Sequence, residues 1–301
     1  MDKSMKLSEL PLENIKIIKD GTFNIMALCD FPTDNKTFTF INEEKYLYYL
    51  KKNPNITCVM CTDELVKKIP ESIMGICASQ TPKNDFFFLH NRLCSMKEYK
   101  VNEYETRIGS NSSISPLAHI EAKNVTIGNN VIIEEFVSIK SNTQIGDNVT
   151  IRAGAIIGCD GFEFKSLNDQ IIYIEHTGGV IIGNNVDIYS NSCICKAIFP
   201  WDNTIIGDYT KIDNLVHVGH ACKIGKRNYL VAGVVLCGSV FTEDDVYIGP
   251  NATIAKIKMS KKSKASLGSV VIGNVETDVT VSGNFAIEHL KMLKHIVKIS
   301  M

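Results

Sequence analysis

Aliphatic residues recur at a strict spacing of six through the middle of this chain. A period of six matches neither the 3.6-residue repeat of an α-helix nor the simple alternation of a strand. It is typical of a coil of short strands, in which one aliphatic side chain per strand points inward and a turn follows. The pattern therefore predicts a parallel β-helix. The residues in register are Ile127, Ile133, Ile139, Ile145, Ile151 and Ile157, then Ile206, Ile212, Val218, Ile224, Leu230 and Leu236, and finally Ile248 and Ile254.

Small and polar residues follow the inward aliphatics, as in Ile127-Gly-Asn-Asn130, Ile145-Gly-Asp-Asn148 and Ile182-Gly-Asn-Asn185. Glycine, asparagine and aspartate tolerate the positive φ that a tight corner needs. The sequence therefore predicts corners at these positions. The coil is expected to begin near Arg107, with a slip of one residue in the repeat before Ile127.

The repeat divides the chain into three predicted parts. Residues 1–103 lack it and are interpreted as a mixed α/β domain, residues 104–283 as the β-helix, and residues 284–301 as a short capping helix. Two segments interrupt the repeat, and loops that leave a rigid scaffold often carry binding and chemistry. These interruptions are residues 158–180 and 195–204; the first domain is predicted to contain strands at 37–41, 56–62 and 72–79 and helices at 43–52 and 85–96.

Composition excludes several classes of protein. The net charge of −1 offers no overall field for nucleic acid or an anionic membrane, and no apolar run is long enough to span a bilayer. The ten cysteines are dispersed, and the pair Cys58 and Cys61 lies in an apolar run without a second pair. We interpret the thiols as buried and reduced, which with the polar N-terminus predicts a cytoplasmic protein without a metal site.

Two histidines are the strongest candidates for chemistry. Because Val218 holds the inward position, His217 should point outward and His220 should lie at a corner. An outward imidazole can accept a proton near neutral pH. The alternative is a solvated surface histidine.

The first interruption begins with Asp160-Gly-Phe-Glu-Phe164 and ends with Glu175-His-Thr-Gly-Gly179. One interpretation of this segment is a simple hairpin that leaves the coil and comes back to it. The other is a loop that grips a substrate, with Asp160 and Glu163 accepting hydrogen bonds from sugar hydroxyls or an amine.

Five lysines lie close together near the end of the repeat, at Lys256, Lys258, Lys261, Lys262 and Lys264. They are either a solvated face or a loop, interrupting the repeat at Ser260, that meets the phosphates of a nucleotide-containing cofactor. The sequence leaves both interpretations open.

These features resemble the UDP-3-O-acylglucosamine N-acyltransferases of lipid A synthesis, within the wider group of left-handed β-helix acyltransferases. The resemblance rests on the repeat, on Asp160-Gly-Phe-Glu-Phe164, on Gly178-Gly-Val-Ile-Ile-Gly183 and on Ile212-Asp-Asn-Leu-Val-His-Val-Gly-His220. The stretch Phe38–Tyr46 is similar to the nucleotide-binding module of that family. The resemblance implies a homotrimer with active sites between subunits.

The resemblance also implies roles for individual residues. His220 matches the proposed catalytic base, and Phe40 and Tyr46 fall in the segment that cradles the nucleotide base, where aromatic stacking is expected. Backbone N–H groups near Gly233 and Gly238 would line the pantetheine channel. The remaining candidates for binding substrate are Asp160, Phe162, Glu163, His176 and His217, and Lys256 and Lys258 are candidates for the cofactor phosphates.

Two departures from that family shape the expected reaction. The family has a longer C-terminal helical extension that meets acyl carrier protein, whereas Ser282-Gly-Asn-Phe-Ala286 resembles the closure of acetyl-CoA-dependent sugar acyltransferases. An acidic and arginine segment is replaced by residues 195–202. We therefore expect transfer of a short acyl group from acyl-CoA to a dTDP-4-amino-4,6-dideoxy sugar, as in the anthrose pathway, for surface polysaccharide synthesis. Lipid A N-acylation with acyl carrier protein is the main alternative; an O-acyltransferase and a silent nucleotide-sugar-binding scaffold are others.

Overall fold

The computed structural model describes residues 4–12, 15–96, 99, 101–167, 170–283, 288–291 and 297–298. The chain divides into two compact units. One contains residues 1–103, 160–178 and 197–202, and the other contains residues 104–159, 179–196 and 203–301. The segments 160–178 and 197–202, which we name the first and second excursions, therefore share a unit with the N-terminal residues. Among the described residues, no helix combines the length and the apolar character needed to cross a bilayer.

The second unit is a parallel β-helix with three faces, as the repeat predicted. Strands of each face pair in parallel with strands of the preceding and following coils. The A face contains Arg107–Ile108, Val125–Ile127, Thr143–Ile145, Gly179–Ile182, Asn203–Ile206, Lys223–Ile224, Phe241–Thr242 and Lys258–Met259. The B face contains Ser113–Ile114, Ile132–Ile133, Thr150–Ile151, Asp187–Ile188, Lys211–Ile212, Tyr229–Leu230, Tyr247–Ile248, Lys264–Ala265 and Thr280–Val281. The C face contains His119–Ile120, Ser138–Ile139, Ile156–Cys159, Cys193–Cys195, His217–Val218, Val235–Leu236, Thr253–Ile254 and Val270–Val271.

The repeat aliphatics form the core of this coil. All fourteen residues in the predicted register are buried in one continuous hydrophobic cluster. Residues two positions before the repeat aliphatics, such as Val125, Val131 and Val137, are buried in the same cluster, so successive coils stack aliphatic on aliphatic. The outward side chains alternate with the inward ones, as the period of two within a strand requires.

Polar residues replace aliphatics at a few interior positions. Asn228 is fully buried, donates a hydrogen bond from Nδ2 to Thr242 Oγ1 at 2.7 Å and accepts one from the Val246 backbone N–H at 2.5 Å. Thr210 donates its hydroxyl to the Gly225 carbonyl at 2.9 Å. Because these groups satisfy one another, the coil accommodates them inside its core without an orphaned polar atom at Asn228.

The corner glycines are required for close approach rather than for positive φ. The left-handed residue comes later in each corner, at Asn130, Asn148 and Asn185, with φ of 56–57°. A Cβ on Gly128 would lie 2.4 Å from Asp147 Oδ1 and 2.6 Å from the carbonyl carbon of Gly146 in the next coil. Our explanation of these glycines from sequence was therefore wrong, because the space between stacked coils sets the demand and not the local dihedral angle.

Gly207→Ala should destabilise the coil. The added Cβ would meet the backbone of Gly225 and Lys226 at 2.6–2.8 Å, and overpacking of this kind costs about 1–3 kcal/mol. Gly273→Ala is the matched control, since a Cβ there meets nothing within 4 Å. Urea unfolding of both variants measures the difference. Equal midpoints for the two would contradict the close-approach explanation.

The lysine-rich segment stays within the coil. Met259 and Ala265 are buried in inward positions on the A and B faces, and Lys258 and Lys264 occupy the outward positions beside them. The interruption expected at Ser260 is therefore wrong. The repeat instead shortens by one residue between Ile254 and Met259, which leaves every lysine of the segment on the surface of a continuous coil.

The N-terminal part of the first unit is a five-stranded sheet with short helices. The sheet order is Lys16–Lys19, Gly75–Ala78, Ile56–Cys61, Thr37–Phe40 and Ile25–Met26, with only the first strand antiparallel to its neighbour. The helices are α1 (Leu47–Lys52), α2 (Asp63–Val66) and α3 (Pro82–Leu93), with 3₁₀ turns at Leu7–Glu9 and Glu44–Tyr46 and a small two-stranded sheet of Met5–Lys6 and Thr22–Phe23. Helix α3 begins three residues before the predicted start because Pro82 suits the first turn of a helix.

A short C-terminal helix is present, with residues 289–291 and 297–298 helical. Leu290 is exposed. The other two residues predicted for its apolar face, Leu293 and Ile296, lie outside the described residues, as does most of the closure sequence at 282–286.

Candidate active site

His220 lies at a CA corner, the turn that leads from a C-face strand to the next A-face strand. Val218 is buried inward, so His217 points outward from the C face and His220 follows in the turn. The next residue, Ala221, has a φ of 58°, and the His220 carbonyl accepts a hydrogen bond from Ser239 N–H at 2.8 Å. The left-handed turn and this bond to the next coil hold the backbone on both sides of the imidazole in place.

Gly238 provides the space that the His220 ring occupies. A Cβ built on Gly238 would lie 2.4 Å from His220 Nε2 and 2.6 Å from Cε1. The imidazole therefore lies directly against the backbone of the following coil. This contact brings together two of the residues that the resemblance had assigned to one site.

The CA corner also holds the points at which the chain leaves the coil. The first excursion follows Cys159 and the second follows Lys196, and each returns to an A-face strand. In the three coils that follow the second excursion, the same corner is occupied by His220, Gly238 and Lys256 in turn. Both excursions and His220 therefore lie along one edge of the coil, because each comes directly after a C-face strand.

Gly233 and Lys258 lie elsewhere on the coil. Gly233 has a φ of 70° at a BC corner, on the opposite edge of the C face from Gly238. Lys258 is on the A face, 2.5 Å from Glu243 Oε1. A shallow groove of about 350 Å³ on the A face is bordered by Lys223, Phe241 and Lys261, and none of the predicted site residues lines it. The predicted cofactor residues therefore do not form a single described cluster.

The two aromatic candidates for nucleotide binding pack in separate clusters of the first unit. The Phe40 ring lies 5.1 Å from Phe86 and 6.1 Å from Phe87, between ring centroids. Tyr46 stacks on Tyr49 at 6.5 Å and belongs to the other hydrophobic cluster of that unit. Both side chains are partly buried, so each presents only one edge or face to a ligand.

Polar side chains of α3 hold the first excursion. Asn84 donates to the Ser166 carbonyl at 2.9 Å, and Asn91 donates to the Tyr173 carbonyl at 2.7 Å and accepts from the Glu175 N–H at 2.9 Å. The excursion is a hairpin of Phe164–Leu167 and Gln170–Tyr173. The sequence missed these anchors, because nothing in the spacing of α3 marks which of its polar residues face a segment some 80 positions later.

His90 completes the attachment of this hairpin. Its ring is fully buried, with Nδ1 2.8 Å from the Tyr99 hydroxyl and Nε2 2.9 Å from the Glu175 carbonyl. Burial lowers the pKa of His90 to about 4, against a smaller opposing effect of the Glu175 carbonyl. The histidine is therefore neutral in the folded protein at physiological pH.

The His90 pKa predicts a loss of stability in acid. The pKa of His90 is lower in the folded state than the value of 6.5 in the unfolded state, so the unfolded chain takes up the proton first as the pH falls. The contribution of His90 to the free energy of unfolding is therefore complete above pH 6.5. About 3 kcal/mol of it is lost as the pH falls towards 4. In urea titrations between pH 7 and 4.5, His90→Gln should show a shallower decline than the parent protein. The exposed histidine in His119→Gln is the control and should leave the decline unchanged. Parallel declines for the parent and His90→Gln would rule out this origin.

The side chains of the first excursion have mixed environments. Phe162 is 92% exposed, and its ring centroid lies 4.9 Å from that of the neighbouring Phe164. Glu163 forms an ion pair with Lys165, whose ammonium lies 4.5 Å from the centre of the Phe87 ring. Burial, followed by the nearby Asp160 carboxylate, raises the pKa of Tyr173. His176 is buried, with Nδ1 2.8 Å from the Ile174 carbonyl oxygen.

The second excursion is anchored by aromatic rings. Phe199 lies 6.1 Å from both Phe86 and Phe87, and Trp201 stacks on Phe199 at 6.0 Å and meets Tyr99 edge-on at 5.1 Å. The only tryptophan of the chain therefore contributes to the packing of the first unit.

Comparison with known proteins identifies the repeats and the fold. The family model for bacterial transferase hexapeptide repeats matches residues 124–159 and 203–238. The fold is shared with a UDP-N-acetylglucosamine acyltransferase from Arabidopsis, at a TM-score of 0.54 and 24% identity over 64% of this chain and 67% of that one, and with another from Campylobacter jejuni at the same TM-score and identity, over 64% and 79%. These matches show hexapeptide repeats at residues 124–159 and 203–238, and the fold is a left-handed parallel β-helix.

Similar curated sequences carry one name, UDP-3-O-acylglucosamine N-acyltransferase. One from Wolinella succinogenes is 36% identical over 155 residues, which is 51% of this chain and 48% of that protein. One from Legionella pneumophila is 50% identical over 103 residues, or 34% and 29%. One from Helicobacter pylori is 42% identical over 114 residues, or 38% and 33%. The chain thus matches between about a third and a half of the length of these relatives.

These names correct our expectation of the reaction. A short-chain, acyl-CoA-dependent enzyme for a dTDP-4-amino sugar is contradicted by relatives that are named for UDP-3-O-acylglucosamine, and the surface polysaccharide role falls with it. No special closeness to the anthrose type is found. The departures at residues 195–202 and 282–286 are local differences, and we gave them too much weight against the similarity of the coil.

Proposed function

We propose that this protein is an N-acyltransferase that acylates the amine of UDP-3-O-acylglucosamine, with a hydroxyacyl group carried on acyl carrier protein as donor. The observation that carries the proposal is the position of His220, a corner imidazole that lies against Gly238 of the next coil. The names of the relatives support the choice of substrate.

The proposed chemistry needs one base and one oxyanion contact. The neutral amine attacks the thioester carbonyl, and His220 accepts the proton that the nitrogen loses as the tetrahedral intermediate forms and collapses. The C–S bond then breaks, and the departing thiolate takes up a proton. The backbone N–H of Gly238, the residue against which the His220 ring packs, is the candidate donor to the oxyanion.

The proposal includes a homotrimer with active sites between subunits. The outer B face exposes Tyr229 and Tyr247 in adjacent coils, and neighbouring exposed apolar side chains are typical of association surfaces. Light scattering on the purified chain tests this part. A monomer that retains full activity would overturn it.

The experiment uses purified protein with product detection by mass spectrometry. UDP-3-O-acylglucosamine is incubated with hydroxyacyl carrier proteins of several chain lengths, and parallel reactions contain the matching acyl-CoA or UDP-N-acetylglucosamine. Formation of the diacylated UDP sugar with the carrier protein supports the proposal. Acylation of UDP-N-acetylglucosamine alone would indicate an O-acyltransferase, and the absence of product in every reaction would overturn the assignment.

A further inference from the structure

Three cysteine thiols meet on the C face of the coil. Cys159 Sγ lies 3.1 Å from Cys193 Sγ and 3.7 Å from Cys195 Sγ, and all three sulfur atoms lie within 4.8 Å of one another. Cys195 is buried, whereas Cys159 and Cys193 are partly exposed. The cluster is therefore compact and still reachable from solvent.

A β-bulge brings the first of these thiols into the cluster. The pairing of Ile156–Cys159 with Cys193–Cys195 shifts after Ile157, so that Cys159 rather than Gly158 lies opposite Cys195. Gly158 has a φ of 80°, a conformation that glycine adopts freely. Without the extra residue, strand alternation would not place Cys159 on the outward side with Cys193 and Cys195.

A histidine of the next coil adjoins the same group. His217 is the pairing partner of Cys193 on the C face and points outward with it. Its imidazole is hydrogen-bonded to the Cys193 thiol, and together with stronger contacts from Cys159 and Cys195 it lowers the pKa of Cys193. The four side chains thus combine three sulfur donors with one imidazole nitrogen.

We propose that Cys159, Cys193, Cys195 and His217 form a tetrahedral binding site for Zn²⁺. Three cysteines with one histidine are an established ligand set for structural zinc, and Zn–S bonds of about 2.3 Å place the sulfur atoms of a tetrahedron roughly 3.8 Å apart. The separations of 3.1 Å and 3.7 Å, and the upper bound of 4.8 Å, lie around that value. A small outward movement of Cys159 relative to Cys193, together with a rotation of the His217 ring, which is not within 4.8 Å of all three sulfur atoms, would complete the fit.

The site would act on the coil and not on acyl transfer. Cys159 is the last residue before the first excursion, and Cys195 lies two residues before the second. A metal bound to both would fasten the two strand ends from which the excursions depart. The proposed transfer chemistry uses His220 and does not pass through this group, so the zinc site stands or falls independently of the proposed function.

Binding has a defined proton balance. Each thiol that is still protonated loses its proton to the buffer when it becomes a zinc ligand, so at most three protons are released per metal ion, and His217 donates its nitrogen lone pair. Affinity should therefore fall as the pH is lowered. No oxidant or reductant takes part.

The test titrates the reduced, chelator-treated full chain with Co²⁺ and then displaces it with Zn²⁺. We expect one Co²⁺ per chain, thiolate-to-cobalt charge-transfer absorption and the intense visible bands of a tetrahedral site. Cys193→Ser should weaken binding at least by the roughly 10–100-fold that loss of an outer-shell partner costs. Cys237→Ser, which removes an exposed thiol outside the cluster, is the matched control and should bind like the parent.

A second measurement does not depend on any variant folding. The ¹¹³Cd resonance of the cadmium-loaded parent chain reports the number of sulfur ligands, and a shift in the range for three sulfurs and one nitrogen supports the site. An octahedral cobalt spectrum, a Cd²⁺ shift without sulfur ligands, or binding that survives Cys193→Ser would overturn it. Isolation of a Cys159–Cys193 disulfide from protein kept under reducing agent would overturn it as well.

Discussion

Replacing His220 with asparagine lowers kcat for amide formation by about 10²–10⁴-fold, the range that a positioned general base contributes. Asparagine keeps a polar side chain of similar size against Gly238 but cannot take up the proton of the attacking amine. The expected loss is in kcat, with little change in KM, because His220 acts on the proton and not on the sugar or the carrier. Steady-state kinetics with UDP-3-O-acylglucosamine and acyl carrier protein measure it.

Two further variants make this result specific. His119→Asn is the matched control, because His119 is an exposed histidine of the same C face that lies far along the coil, with its Nε2 3.6 Å from Glu121 Oε1. Gly238→Ala should also reduce kcat, since its Cβ would lie 2.4 Å from His220 Nε2 and displace the ring. Unchanged turnover in His220→Asn would indicate that substrate positioning alone accelerates the reaction.

Truncating Ile133 to alanine destabilises the coil by about 2–5 kcal/mol, the usual cost of an isoleucine removed from a packed core. Ile133 is 1% exposed and stacks between Ile114 and Ile151 of the neighbouring coils. The rigid backbone ladders on either side prevent the cavity from collapsing, so the loss should lie in the upper part of that range. Chemical denaturation at fixed chain concentration gives the change in unfolding free energy.

Ile272→Ala is the control for this substitution, with the same atoms removed. Ile272 is 81% exposed, so its loss should stay within about 0.5 kcal/mol, as for most surface changes. Similar losses at the two positions would mean that the inward register is not the source of stability.

The repeat was sufficient to predict the coil and the side of each strand that faces inward. It did so because one aliphatic per six residues satisfies only a triangular cross-section, and every register position from Ile127 to Ile254 that we named is buried. Single residues were less well predicted. Gly128 is needed because the next coil packs closely against it. Lys258 and Lys264 lie on the surface of a continuous coil. Both features depend on contacts with neighbouring coils, which local spacing does not show.

The candidate site was predicted in part. The corner position of His220 follows from its distance to Val218, but its partner Gly238 is eighteen positions away and only the stacking of coils brings them together. The surroundings of His176 did not follow from the sequence. The structure buries its ring against the Ile174 carbonyl within the first excursion, and its substrate contact stays a prediction.

The sequence by itself determined the period, the parallel three-faced coil and the corner that holds His220, because these depend on local alternation and on a repeat that no other fold satisfies. The tertiary structure alone decided which distant residues meet. It joined Asn84, His90 and Asn91 to the first excursion, and it assembled Cys159, Cys193, Cys195 and His217 across three coils through a bulge at Gly158. The physical reason is that contacts between coils and between excursions depend on stacking register, which a reading of local spacing does not contain.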